Sequence, residues 1–382
     1  MLRGSLAVVI SIAVTAICWG IYGPVILQGQ FAMESRLRPF VCVGIAYFVI
    51  AVVAPVLLLR SQGEKGGWTM TGLTWSLAAG ALGALGALGV ILAFSFKGKP
   101  VFVMPLVFGL APVVNTAVTM YFAKSFKQAG PLFLAGLILV AIGAVTVLVA
   151  KPGHAGPKVT EAKDGSITVE MEVKKGGTME PQSFTAPDAT QLEAKFPDAF
   201  KAYDSYKRSK MTAMDYIWVP LFIAMTAICW GAYGPVLHKG QVAMNGSRLR
   251  PLICVGLSYF VIGVIVPLAL LGPLEPDQSF NTPGVIWSLA GGAAGAIGAL
   301  GVIMAFNFGG KPIYVMPLVF GCAPVINSFT EIIGQKLYGQ ISPLFYAGLI
   351  IVIVGAVVVL IFAPRGGPHA PATEKSAAPA PA

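Results

Sequence analysis

Two short segments carry the residues best suited to hold a solute. Trp19-Gly20-Ile21-Tyr22-Gly23-Pro24 has a copy at Trp230-Gly231-Ala232-Tyr233-Gly234-Pro235, within a longer match of Thr15 to Val25 with Thr226 to Val236 that contains one change. Proline has no N–H, so a helix running through this motif leaves the Gly20 and Gly231 carbonyls without their usual donors. Within a membrane such carbonyls need another partner, and a solute or water in a central cavity can supply it. Indole and phenol rings would give that cavity flat apolar walls with hydrogen-bonding tips, suited to a sugar, a nucleobase or a cation. The competing reading makes the rings an interfacial belt and the glycines close-packing points. Trp19 lies more than halfway along its apolar run, which favours the cavity. The substrate-binding candidates are therefore Trp19, Gly20, Tyr22 and Pro24 with Trp230, Gly231, Tyr233 and Pro235.

A second candidate face joins Phe108, Pro112, Asn115 and Thr119, spaced to share one side of a helix, and its copy joins Phe320, Pro324, Asn327 and Glu331. Asn115 and Asn327 complete the substrate-binding set. Glu331 stands where the first copy has the neutral Thr119, and it is the only acidic residue in a predicted span. It is the proton-coupling candidate, because an ionisable group inside a membrane is expensive and calls for a function. Its alternative role is to reach the interface and pair with Lys336.

The glycines at 80, 83, 86 and 89, mirrored at 292, 295, 298 and 301, form ridges on which another backbone can approach closely. Packing is their first reading, sliding their second. His238, whose counterpart is Leu27, reads as interfacial, and Lys99-Pro100 and Lys311-Pro312 read as turns. The five cysteines fall in predicted helices without paired spacing and read as small apolar residues, so no metal site is expected. Nothing resembles a hydrolase triad, a paired-carboxylate site, a metal-ligand cluster or a nucleotide-binding loop. The expectation is a protein that is not an enzyme, uses no cofactor, and does not drive transport with ATP by itself.

The elements that must position these residues follow from composition. Hydrophobic residues make up 56% of the chain, charged residues 11%, and the mean hydropathy is +0.78, which excludes a water-soluble domain of this length. Apolar runs near 6–27, 38–60, 72–96, 100–122 and 131–150 recur near 217–238, 251–271, 284–308, 312–333 and 343–363. Each is close to the roughly 20 residues that cross a bilayer as a helix. The runs are continuous rather than alternating, which excludes barrel strands. The N-terminal run, which follows Arg3, resembles a signal peptide, but its mid-chain copy cannot be one, so it reads as the first span. The fold class expected is an all-α polytopic membrane protein with ten transmembrane helices. An odd number of spans per unit makes the two five-helix repeats inverted, an arrangement that supports alternating access around a central site.

The domain reading is a first five-helix repeat over 1–150, a hydrophilic central loop over 151–216, a second five-helix repeat over 217–363, and a disordered Ala/Pro-rich tail over 364–382. The copies extend to Arg36-Leu37-Arg38-Pro39 against Arg248-Leu249-Arg250-Pro251, and a one-residue insertion near Asn245 separates their registers. Net charge is +10, yet the central loop carries equal numbers of acidic and basic side chains. The excess therefore lies in short loops and tails, which suits contact with anionic membrane lipids and argues against nucleic acid. Positive charge in the short loops favours cytoplasmic termini in a cell (inner) membrane, although Lys151, Lys158, Lys163, Lys201, Lys207, Arg208 and Lys210 in the central loop offset that bias.

Within the central loop, Ile167 to Val173 alternates like a strand, and Leu192, Phe196, Phe200 and Tyr203 share a helical face that Pro197 interrupts. A loosely ordered linker is the favoured reading over a surface helix anchored at the lipid interface.

The Trp-Gly pair in the first helix of each half, the Pro-bearing fourth helix and the five-plus-five plan resemble the drug/metabolite transporter superfamily, the EamA-like permeases and their sugar and ureide relatives. That resemblance covers both repeats. It implies a central substrate cavity walled by the first, third and fourth helices of each half. The long linker departs from the usual short connection and is similar to that of the ureide permeases, whose nucleotide-loop-like motif is missing here.

The functional expectation is a permease moving a small polar organic solute by secondary transport, neutral, zwitterionic or cationic rather than multiply anionic. Proton coupling and homodimerisation are left open. The alternative is a non-transporting membrane sensor or assembly protein that uses the central loop as its partner surface.

Overall fold

The computed structural model describes residues 2–96, 100–150, 157–162, 164–175, 178–209, 214–276, 279–334, 336, 339 and 341–364. Among these, nine helices are long and apolar enough to cross a membrane, and a further apolar stretch, Pro343–Val359, falls just short of that length. The chain is an overwhelmingly helical, multi-pass membrane protein.

The first helix of each half, α1 (Leu2–Met33) and later α9 (Asp215–Ala243), continues unbroken through Pro24 and Pro235. Both outrun the apolar stretch that marks them in the sequence. They stop where the backbone turns left-handed, at Glu34 after α1 and at Asn245 and Gly246 after α9. The one-residue insertion between the copies is absorbed at this second turn.

The second span of the first half is α2 (Leu37–Phe48), a π-helical turn (Val49–Val53) and α3 (Ala54–Gln62). Its copy later in the chain has the same π turn, at Val261–Ile265. Pro55 and Pro267 follow these turns and cannot donate to the helical ladder. The ladder widens by one residue just before each, where Ala54 N–H reaches the Val49 carbonyl and Val266 N–H reaches Val261. The first half is completed by α4 (Met70–Ser95), α5 (Pro100–Ala123) and α6 (Pro131–Ala150).

The segment between the halves is folded, which corrects the reading of it as a loose linker. Strands β1 (Lys158–Glu161), β2 (Ile167–Lys175) and β3 (Thr178–Ala186) form an antiparallel sheet in that order. Helices α7 (Ala189–Lys195) and α8 (Pro197–Ser209) follow. The alternation in β2 sends Ile167 and Val169 to one face, where they are buried with Leu192, Ala199 and Tyr203. Phe196 and Phe200 pack against this small core rather than against lipid. Pro197 opens α8, a position where its missing N–H costs nothing. Asp188 caps α7, its side chain accepting from Gln191 N–H at 2.8 Å.

The second half supplies α10 (Leu249–Phe260), α11 (Val266–Leu274), α12 (Thr282–Asn307), α13 (Pro312–Gly334) and α14 (Pro343–Phe362). The packing that positions the site runs between halves. α1 lies on α12 and α13, α9 on α4 and α5, and α6 on α14. The glycine ridges make the first two approaches possible. At Gly86 and Gly298 the space a Cβ would occupy is filled by the Trp230 and Trp19 indoles, and at Gly83 and Gly295 by Tyr259 and Tyr47. Thr226 and Thr15 complete the same pattern, donating to the carbonyls of Gly86 at 3.1 Å and Gly298 at 3.2 Å. The packing reading of the glycines is what the structure shows.

The two second spans cross antiparallel. Tyr47 and Tyr259 stack with centroids 3.8 Å apart, and Phe48 meets Phe260 at 4.7 Å. A carboxylate from one half caps the other at each end of this pair. Glu275, just past α11, accepts from the N–H groups of Arg36 (3.0 Å) and Leu37 (3.3 Å), from Ser35 Oγ, and from Arg38 Nη1 (3.2 Å). Glu64, just past α3, accepts from the N–H groups of Arg248 (2.8 Å) and Leu249 (3.2 Å), from Ser247 Oγ (2.6 Å) and from Arg248 Nε (3.0 Å). A helix N-terminus offers unpaired N–H groups and positive dipole, so a carboxylate there is well placed. Burial pushes the Glu64 carboxyl up, but these hydrogen bonds outweigh burial and hold it below the usual carboxylate range.

Candidate functional site

The Tyr47–Tyr259 crossing forms the floor of an internal space lined by both halves. Its volume is about 250 Å³. Trp19 and Trp230 flank it, and their ring nitrogens donate to the carbonyls of Gly295 and Gly83, each at 3.2 Å. With their N–H groups committed to backbone, the indoles present chiefly their faces. An aromatic run links them: Trp230 to Phe108 at 6.2 Å, Phe108 to Phe320 at 6.4 Å, Phe320 to Trp19 at 6.5 Å and Trp19 to Tyr233 at 6.1 Å. Such tilted pairs satisfy the ring quadrupoles while leaving a flat apolar wall.

The cavity is lopsided. From its centre it extends along α1 past Tyr22 to Gln30 and reaches Arg36, with Asn327 also lining it. Toward the Arg248 end no residue between Leu237 and Pro251 lines it. There the same sequence motifs are tied down. Gln241, the copy of Gln30, donates to the Ile303 carbonyl at 3.1 Å. Asn115, the copy of Asn327, is fully buried and donates to the Pro312 carbonyl at 2.9 Å. Lys239 places its Nζ 3.8 Å from the centre of the Phe122 ring and 4.6 Å from that of Trp75, and those two rings meet edge to face at 5.6 Å. His238 stands edge-on to Phe306 at 5.2 Å.

Of the residues singled out from the sequence, Trp19, Tyr22, Trp230, Tyr233 and Asn327 line the cavity together. The others serve it from behind. Gly20 is pressed against Ile326 and the Ala323 carbonyl of α13, and Gly231 against Val114 and the Ala111 carbonyl of α5, so both act as packing points. Pro24 and Pro235 are not among the lining residues, and Asn115 is locked in the closed end. Glu331 lies in α13, and its side chain falls outside the described residues. Lys99 also lies outside them.

Sequence reasoning missed the tyrosine pair and the capping glutamates. Tyr47 and Tyr259 carried a signal, since Tyr-Phe-Val-Ile recurs in mid-span of both copies. Glu64 and Glu275 sit in loops of dissimilar sequence, and their partners are in the other half, so only the fold reveals them. Among the described residues no cluster of three or more His, Cys, Asp or Glu side chains could hold a metal ion.

No family model matches the chain, and no curated protein does. A solved structure described only as the crystal structure of a protein is similar to it, with a TM-score of 0.59 at 14% identity over 94% of this chain and 98% of that one. At that identity the likeness shows the fold alone: a membrane-spanning helical bundle matched along nearly its whole length.

Proposed function

We propose that this chain is a secondary transporter that moves a small polar organic metabolite by alternating access between two inverted five-helix repeats, ten spans in all. The observation that carries this reading is the lopsided cavity. It lies where the two halves meet, reaches the Arg36 end and stops short of the Arg248 end, although both ends are built from copies of the same sequence. Exchange of the two arrangements between the halves would close the Arg36 end and open the other, moving a solute without breaking the core. The antiparallel second spans and the reciprocal glutamate caps support the inverted arrangement. The plan also fits the drug/metabolite transporter superfamily, with Trp19, Tyr22, Trp230, Tyr233 and Asn327 as solute contacts.

Cysteines placed singly at Gln30 and Gln241 in a cysteine-free background test the cycle. In proteoliposomes the first should label readily from its own side and the second slowly from the other. Solute should protect the first and alter the rate of the second. Labelling of both from one side would remove the inverted arrangement and the mechanism with it. Glu331 is the coupling residue in this reading. Glu331→Gln should abolish uphill, pH-driven accumulation and leave counterflow measurable, whereas an unchanged pH profile would take the role from it.

One observation favours a second reading. The segment between the halves has its own sheet and core, as a partner-binding module of a sensor would. Removing residues 158–209 and measuring flux separates the two: a transporter core keeps its activity, and a sensor has none to keep.

A further inference from the structure

The two copies of the Ser-Arg-Leu-Arg-Pro motif are used differently. At the closed end Arg248 turns its Nε to Glu64 at 3.0 Å. At the open end the equivalent carboxylate, Glu275, is occupied by Arg38 at 3.2 Å and by backbone N–H groups, and Arg36 lines the cavity instead. Glu275 still acts on Arg36 electrostatically, but no hydrogen bond joins the Arg36 guanidinium to a carboxylate among the described residues. Deeper in the cavity the walls are ring faces and aliphatic side chains. The polar exceptions include Asn327 and Tyr233, and the Tyr233 hydroxyl is buried with no hydrogen-bond partner among the described residues, in a residue only 4% exposed. No aspartate or glutamate is among the lining residues.

We infer that the cavity takes a monoanionic organic acid with a flat, largely apolar body, its acidic group toward Arg36 and its ring among the aromatic walls. The inference rests on the cavity being the solute site of the proposed transporter, and it narrows that site to one class. A flat body buries its faces against Trp19, Phe108, Phe320 and Trp230, which reward area and stacking. One anionic group finds one cation, and guanidinium geometry suits a planar carboxylate. A second anionic group would enter an apolar wall unpaired, at a desolvation cost that this lining does not offset. A cationic solute would meet Arg36 at the mouth and no carboxylate inside.

The test is thermal unfolding of the purified full-length protein with benzoate, benzamide, benzylamine and terephthalate, which share a ring and differ in charge. A ligand that binds the folded state raises the unfolding temperature in proportion to its occupancy. Benzoate should stabilise most, benzamide less, and benzylamine and terephthalate least. Arg36→Gln should weaken benzoate by about three- to fivefold, the size expected of a charge pair still reached by solvent, and leave benzamide unchanged. Arg36→Lys should retain most of the benzoate effect.

The inference is overturned if benzylamine or terephthalate stabilises as well as benzoate, if Arg36→Gln leaves the order unchanged, or if none of the four shifts the transition at millimolar concentration. None of those results touches the labelling test of alternating access. Conversely, benzoate that binds as expected but shows no counterflow in proteoliposomes would leave the site assignment standing and remove the transport reading.

Discussion

The Arg36 end and the Arg248 end of this bundle are made from copies of one sequence, yet one holds an open cavity and the other is shut. The difference lies in a few substitutions between the copies. At the closed end Lys239 sits over Phe122 and Trp75. The corresponding positions at the open end are Gln28, Gly334 and Trp287, which lack both the cation and the second ring. The interior, by contrast, is nearly symmetric, with two indoles on two glycine carbonyls and two tyrosines stacked where the halves cross. In the proposed alternating-access reading, the duplicated core would supply a two-state frame, and unmatched residues at the ends would decide which state is favoured.

The symmetric part should break most severely and equally from either half. Gly86→Val or Gly298→Val puts methyl groups where an indole now lies, forcing α4 from α9 or α12 from α1. Each should cost about 3 kcal/mol or more, seen as a large drop in unfolding temperature in detergent. Gly67→Ala, where a Cβ would meet nothing within 4 Å, is the matched control. Unequal losses from the two ridges would show that the core is less symmetric than its contacts.

The caps should matter next. Glu64 has its folded-state pKa depressed, so its contribution is present above the unfolded carboxylate pKa and is lost as pH falls through the lower folded value. Unfolding temperature should therefore decline in acid below the ordinary carboxylate range. Glu64→Gln should remove about 2 kcal/mol near neutrality and flatten that decline. An acid profile that survives the substitution unchanged would assign the loss to other carboxylates.

The smallest effect belongs to the asymmetric part and is the most telling. A cation over aromatic rings contributes about 1 kcal/mol at a partly exposed site, enough to shift a two-state population several-fold. Lys239→Gln should raise the labelling rate of a cysteine at Gln241 by roughly fivefold with little change in unfolding temperature. The double change Gln28→Lys with Gly334→Phe should shift the bias the other way and slow labelling at Gln30. If Lys239→Gln alters stability but not the accessibility of either end, the lysine is a packing element and the bias lies elsewhere.

Much of this was legible in the chain itself. The glycine ridges read as packing surfaces because residues three apart share a helix side, and Gly83, Gly86, Gly295 and Gly298 do receive the rings of the other half. Trp19, Tyr22, Trp230, Tyr233 and Asn327 were legible as cavity residues because polar aromatic and amide groups far from the ends of an apolar helix need a reason to be there. Gly20 and Gly231 were drawn into the same set by proximity, since a motif in sequence does not say which side of the helix each member occupies. The central segment was misread because its strand and helix faces are each too short to look stable alone, and their burial becomes evident only when Leu192 and Tyr203 are laid over Ile167 and Val169.

By itself the sequence determined the membrane-spanning helices, their duplication and the placement of aromatic and amide side chains in mid-span, because these follow from hydropathy, periodicity and repetition along one dimension. Only the tertiary structure decided that Tyr47 stacks on Tyr259, that Glu64 and Glu275 cap helices of the opposite half, and that Gln30 and Asn327 face a cavity while Gln241 and Asn115 bond to backbone. Those outcomes depend on which surfaces meet. Two copies with nearly the same local energies take different roles once a cation and a second ring are added at one end.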